Sequence, residues 1–192
     1  MARSVEFDQE AAIQKAMEVF RKKGYSATSM RDLTEAMQIN SSSLYNTIGD
    51  KQELFVRAVQ CYTDSRKRDL DERAAASTSA LEILKNYIDY SVYNIVSETD
   101  GCMAVKMAFE VATSDERVKA VLKKDSDNQY EFIRKHIALA MEQGQIANDE
   151  SPELLADYFL STWSGWNESY ILHKDVDKIK RMARYFIRQL SK

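Results

Sequence analysis

The stretch TSMRDLTEAMQINSSSLYNTIGDK, Thr28 to Lys51, reads as two short amphipathic helices joined by a tight connection. Met30, Leu33, Thr34 and Met37 recur at three- and four-residue spacing, which gives the first helix, Met30 to Met37, a single inner face. Thr28 or Ser29 caps it, and Ser29 with Asp32 three residues on is a capping-box variant with a short acid. Gln38-Ile39-Asn40 forms the turn, and Asn40 is the natural N-cap of the next helix, Ser41 to about Thr47. Two helices of about two turns each, separated by so few residues, make a helix-turn-helix candidate.

Outward from that stretch, helical signals continue to both ends. Before it, Ala12, Ile13, Ala16, Met17, Val19 and Phe20 form one buried stripe between Asp8 and Lys23, and Gly24 stops the helix after a basic last turn. After it, Gly49 breaks the chain and Asp50 caps a long helix running to about Ala76, with Leu54, Phe55, Ala58, Val59 and Tyr62 on its inner side. The charge run RKRDLDER, Arg66 to Arg73, reads as a solvated face with pairs four residues apart. Further helices are predicted over 79–98, 102–112, 115–143, 152–172 and 175–191, with Pro152 in a first turn after Ser151. The expectation is an all-α protein of about nine helices, with a three-helix domain at 1–50 and a larger helical domain at 51–192.

Composition agrees, since the 192 residues include only 5 Gly and 1 Pro. The net charge is −3, and residues 1–60 hold equal numbers of basic and acidic side chains, so any nucleic-acid face must come from placement and not from total charge. Cys61 and Cys102 stand far apart with no CxxC spacing, which suggests neither a zinc site nor a disulfide framework. His136 and His173 are isolated and read as helix-surface residues; there is no phosphate loop, nucleophile elbow or HExxH. No enzyme, metal or cofactor is expected. Without a signal-like or membrane-spanning run, the protein is expected to be cytoplasmic, with no membrane partner.

The run from Ala12 to Phe55 resembles the DNA-binding domain of the TetR/AcrR family of bacterial transcriptional regulators, through Phe20, Gly24-Tyr25, Ala27-Thr28-Ser29, Leu44-Tyr45, Gly49-Asp50-Lys51 and Leu54-Phe55 in the same order and spacing. The resemblance implies a recognition helix whose Ser41, Ser42, Ser43 and Asn46 face base edges, with Tyr45 and Lys51 on phosphates. Thr28 and Ser29 would offer a helix N-terminus to a phosphate oxygen, and Arg31 would reach the backbone or a guanine edge. Three positions depart from the family pattern: Gln38 where the turn commonly has Gly, Ser41 in place of a cation, and Ile48 in place of Phe.

The resemblance further implies a C-terminal domain that dimerises and binds a small molecule. Broad apolar faces on the last two helices point to Leu155, Phe159, Ile179, Ala183, Phe186 and Leu190 at a two-fold interface, which would present two recognition helices to a pseudo-palindromic operator. Tyr62, Tyr87, Met103, Met107, Tyr130, Trp163, Trp166 and Asn167 are the candidates for a largely apolar effector site. The expected function is a repressor released from DNA by its ligand through population shift. Alternatives are a thiol-based redox regulator using Cys102, or a helical protein-interaction module without DNA binding.

Overall fold

Side-chain caps set where the helices begin. Asp8 accepts from the amides of Glu10 and Ala11 ahead of α1 (Gln9–Lys23). Ser29 and Asp32 complete a reciprocal capping box at the start of α2 (Met30–Met37). Asn40 accepts from the Ser43 amide at 2.7 Å and opens α3 (Ser41–Thr47). Asp50 does the same for Glu53 at 2.8 Å in α4 (Lys51–Ala75). They are followed by α5 (Ala80–Ser97), α6 (Met103–Glu110), α7 (Glu116–Glu142), α8 (Pro152–His173) and α9 (Val176–Leu190). Ser151 caps α8, with Pro152 in its first turn.

This computed structural model describes residues 8–97, 102–147 and 149–190. Among them the secondary structure is entirely helical, as the sequence predicts. The helix ends expected at Glu98 and Ser191 fall outside the described residues.

Packing divides the chain into two compact units, 1–65 with 106–123 and 66–105 with 124–192. The break at Gly49-Asp50 therefore lies inside the first unit. Leu54 and Phe55 of α4 are buried there, and Phe55 meets the rings of Phe20 and Tyr25 at centroid distances of 4.9 and 4.6 Å. Leu33, Met37, Leu44 and Ile48 complete that core from the helix-turn-helix, where α2 packs on α1 and on α3. Ile48, aliphatic where the family commonly has an aromatic, is fully accommodated inside.

In the second unit α5, α8 and α9 pack on one another. Their core is aromatic: Phe159 lies against Tyr87, Trp166 and Phe186 with centroids 5.9, 6.0 and 5.0 Å apart. His136, expected on a helix surface, is buried instead, its Nδ1 at 2.7 Å from the Phe132 carbonyl and its ring against that of Phe132. Burial lowers its pKa, so it packs as a neutral ring.

Candidate functional site

The connection between α2 and α3 takes an unusual backbone to stay short. Gln38 has φ 59° and ψ 40°, the left-handed region, and its N–H closes on the carbonyls of Glu35 and Thr34. A side chain there costs roughly 1 kcal/mol relative to a relaxed conformation. Ile39 and the Asn40 cap then start α3 at once. Leu44 and Ile48 anchor α3 inward, which turns Ser41, Ser42, Tyr45 and Asn46 to solvent, with Ser43 half-buried.

Tyr45 is 53 % exposed, which decides between a core aromatic and a surface one in favour of the surface. The exposed residues of α3 are thus small polar groups and a phenol, with no charge among them. Hydroxyl and carboxamide groups both donate and accept, so this face suits base edges and phosphate oxygens. Lys51 begins α4 shortly after α3 in the chain, its ammonium held 4.3 Å above the Tyr25 ring. Arg31 is exposed at the start of α2, paired with Glu35 at 2.6 Å; such a surface pair is worth little and releases the guanidinium readily.

Two of the expected phosphate contacts are corrected in their chemistry. Thr28 is only 2 % exposed, and its hydroxyl donates to the Gly24 carbonyl at 2.6 Å, closing the α1–α2 turn. The Ser29 N–H and hydroxyl both donate to Asp32, at 2.9 and 2.8 Å, so the capping box consumes the donors that a phosphate would need. Asp32 in turn is held well below the usual carboxylate range by the hydrogen bond from Lys23, at 2.6 Å, and by those from Ser29. What remains for an anion at this end of α2 is the pair of amides at Met30 and Arg31, which have no acceptor among the described residues.

The second unit carries a buried polar cluster that the sequence only half disclosed. Arg66 pairs with Asp125 at 3.1 Å and donates to Gln129 Oε1 at 2.6 Å. Gln129 also accepts from the Tyr87 hydroxyl at 3.0 Å and donates to Asp125 at 2.9 Å. Arg66 lies 5.4 Å over the Trp163 ring and 3.5 Å from Cys102 Sγ. Asn167, fully buried, accepts from the Cys102 N–H at 3.2 Å and donates to the Trp163 carbonyl at 3.0 Å. Burial pushes the Tyr87 hydroxyl up to about 12 and raises Asp125 against the opposing pull of Arg66, so the phenol stays neutral and the carboxylate is costly to hold. Trp163 Nε1 is buried with no acceptor among the described residues.

Of the eight effector candidates, Tyr87, Trp163 and Asn167 belong to this cluster, and Met103 is buried one residue beyond Cys102. Tyr62 and Met107 belong to the first unit, Trp166 packs on Phe159 and Phe186, and Tyr130 sits on α7 in the field of Asp157 and Glu153. The residues missed are Arg66, Asp125 and Gln129. The spacing of Asp125 and Gln129, one helical turn apart, was the available signal. Arg66 was hidden inside the charge run, whose Lys67 and Asp71 do form a solvated pair at 2.8 Å.

The six residues expected at a dimer interface are likewise redirected. Leu155, Phe159, Ile179, Ala183, Phe186 and Leu190 are all buried within the subunit, because α8 and α9 turn their continuous apolar stripes onto α5 and onto each other. The apolar side chains left exposed on these helices are Leu154, Tyr158, Ile171, Leu172 and Tyr185.

A helix-turn-helix with an exposed polar recognition face, attached to a separate helical unit with a buried polar cluster, defines a DNA-binding transcriptional regulator. The signature described as "Bacterial regulatory proteins, tetR family" matches residues 12–58, and "Tetracyclin repressor-like, C-terminal domain" matches residues 80–186. The chain belongs to the TetR family, whose members are regulators and not enzymes. It is similar to the HTH-type transcriptional regulator YezE of Bacillus subtilis, at 27 % identity over 79 % of each chain. It is also similar to the HTH-type transcriptional repressor DhaR of a Mycobacterium species, at 25 % identity over 80 % of this chain and 77 % of the other. Among solved structures, a cysteine mutant of the TetR family regulator CifR, complexed with a 26-base-pair double-strand operator, shares 25 % identity over 98 % of both chains with a TM-score of 0.81.

Proposed function

We propose that this protein is a homodimeric repressor that binds a pseudo-palindromic operator through α3 and is released by a small molecule bound at the Arg66–Gln129–Trp163 cluster. The observation that carries the DNA reading is the outward face of Ser41, Ser42, Tyr45 and Asn46, with the exposed cation Arg31 on α2 before it in the chain and Lys51 at the start of α4 after it. The relative complexed with operator DNA supports the same reading. Serines permit close approach to the groove floor, so specificity comes from short polar contacts and DNA shape, with affinity from Tyr45, Lys51 and the α2 amides on phosphates.

The dimer reading is supported by the exposed Leu154, Tyr158, Ile171, Leu172 and Tyr185, a density of large apolar side chains that favours a partner surface. The effector reading is supported by the convergence of Tyr87, Gln129, Asn167 and Trp163 beside the Arg66–Asp125 pair in the interior of the second unit. An effector with an aromatic or aliphatic body and one hydrogen-bond acceptor for Trp163 Nε1 fits that chemistry. No described helix is long and apolar enough to cross a membrane, in keeping with action in the cytoplasm.

Selection of bound duplexes from a random-sequence pool tests the proposal. Enrichment of a two-fold related half-site, lost in Tyr45→Ala, is the expected outcome; failure to enrich any sequence would reject the reading.

A further inference from the structure

The last turn of α6 reaches the turn that precedes the helix-turn-helix from far away in sequence. Glu110 Oε1 accepts from the Ser26 N–H at 2.9 Å, and its Oε2 accepts from the Tyr25 N–H at 3.3 Å. Four residues earlier, Lys106 Nζ donates to the Arg21 carbonyl at 3.0 Å. The Arg21 carbonyl is one of the orphan acceptors at the end of α1, and the Tyr25 and Ser26 amides are loop donors with no helix to satisfy them. A cation and an anion on one face of α6 therefore grip backbone groups of matching polarity on either side of Gly24.

Gly24 permits the approach. A Cβ at that position would stand 2.9 Å from Glu110 Oε2, and its φ of 80° already disfavours a side chain. The carboxylate stays ionised: burial pushes its pKa up, but the bonds from Ser26 and Tyr25, with Lys106 nearby, leave it below the ordinary value. Within the turn, Thr28 bonds back to the Gly24 carbonyl and Ser29 caps α2, so wherever Glu110 holds Tyr25 and Ser26, the start of α2 is held too.

We infer that Glu110 and Lys106 are positioning residues for operator binding: the two side chains clamp the α1–α2 turn and thereby fix the α2 amides and α3 in the arrangement that fits DNA. The inference rests on the DNA-binding reading of α3. It assigns to the end of α6 a role beyond packing, since its two charged groups engage backbone of α1 and of the α1–α2 turn and not side chains of a core.

The test uses the full chain and the duplex selected by the wild-type protein. In Glu110→Ala, amide hydrogen exchange at Ser26 is expected to accelerate about tenfold, and the operator Kd to rise by about the same factor, while far-UV circular dichroism is unchanged. Glu110→Gln falls between, because its carbamoyl oxygen accepts one of the two amides, and Lys106→Met raises Kd about threefold. A purely structural role would lower the melting temperature without altering the Kd of the folded protein. The inference is overturned if Ser26 exchange is unchanged in Glu110→Ala, or if it accelerates while Kd stays within about twofold of wild type. Should Glu110→Ala not fold, Glu110→Gln decides by the same two readouts. If the wild-type protein binds no duplex while Ser26 exchange still responds, the DNA reading itself fails, and the positioning role falls with it.

Discussion

Replacing Asp125 with Asn removes one charge from a pair whose partner cannot follow it into water. The Arg66 side chain is 15 % exposed and that of Asp125 6 %, and Arg66 is held by Asp125, Gln129 and the face of Trp163. The asparagine oxygen can still accept from the guanidinium, so the geometry survives and the loss is electrostatic. Breaking a buried pair costs about 3–5 kcal/mol when the remaining charge is stranded. Two effects reduce that here. Burial already raises the Asp125 pKa, so neutralising it relieves a desolvation cost, and Arg66 keeps partial access to solvent. Because the Asp125 pKa stays raised even with Arg66 beside it, these effects offset most of the loss, and Asp125→Asn is expected to shift stability by less than about 1 kcal/mol, whereas Arg66→Met, which strands the carboxylate, should cost more, at roughly 2–4 °C in Tm per kcal/mol for a chain of this size. Removing the guanidinium as well, in Arg66→Met with Asp125→Asn, should cost less than the sum of the two single changes by about 1 kcal/mol or more. Urea unfolding of wild type, both single variants and the double, at one protein concentration, measures the coupling. Additivity within about 0.5 kcal/mol would refute the claim that these groups act as a pair.

Three other expectations concern pH, backbone strain and the dimer surface. Glu110 and Asp115 have native pKa values below their ordinary 4.5 and 3.8, the first held by the Ser26 and Tyr25 amides and Lys106, the second by Gln52, two backbone amides and Arg117. They contribute stability that is present above those values and lost as pH falls through the lower native ones, whereas Asp125, raised by burial, penalises the native state less as it protonates. The Ser26 amide should therefore lose hydrogen-exchange protection at higher pH than the Cys102 amide, once intrinsic exchange is corrected for; coincident loss would contradict it. Gln38→Gly should stabilise the protein by about 0.5–1 kcal/mol in denaturant unfolding, because glycine adopts φ 59° without strain; destabilisation would mean that the Gln38 side chain matters more than its backbone. Gly165 sits inside α8, where a Cβ would meet nothing within 4 Å among the described residues, so no packing within the subunit requires it. Gly165→Leu should leave helicity intact and weaken the proposed dimer in sedimentation velocity, and an unaltered dimer would place the two-fold elsewhere.

The first unit was largely legible in the sequence because its signals are local. Ser29, Asn40 and Asp50 each cap the helix that they precede, and Gln38, standing where the family commonly has Gly, takes the left-handed backbone. What the sequence concealed depends on partners distant in the chain. A helical apolar stripe says that a face is buried, not what buries it, and so Phe159 and Phe186 were read as meeting a second subunit when they meet each other. The charge run around Arg66 looks like solvated helix until Asp125, on α7 with two helices between, is brought beside it. Of the two cap candidates, Ser29 caps α2 while Thr28 closes the turn before it, and hydroxyls so committed cannot also grip a phosphate. Glu110 carried no sequence signal at all, since its partners are backbone amides.

The salt dependence of operator binding tests the central claim most directly. With Arg31 and Lys51 of each subunit of a dimer on phosphates, log K for the selected duplex should fall against log salt with a slope of about −3.6, and the Lys51→Met variant should reduce that slope by about half. An affinity that ignores both salt and sequence, or a slope unmoved by the loss of Lys51, would contradict DNA recognition through this face.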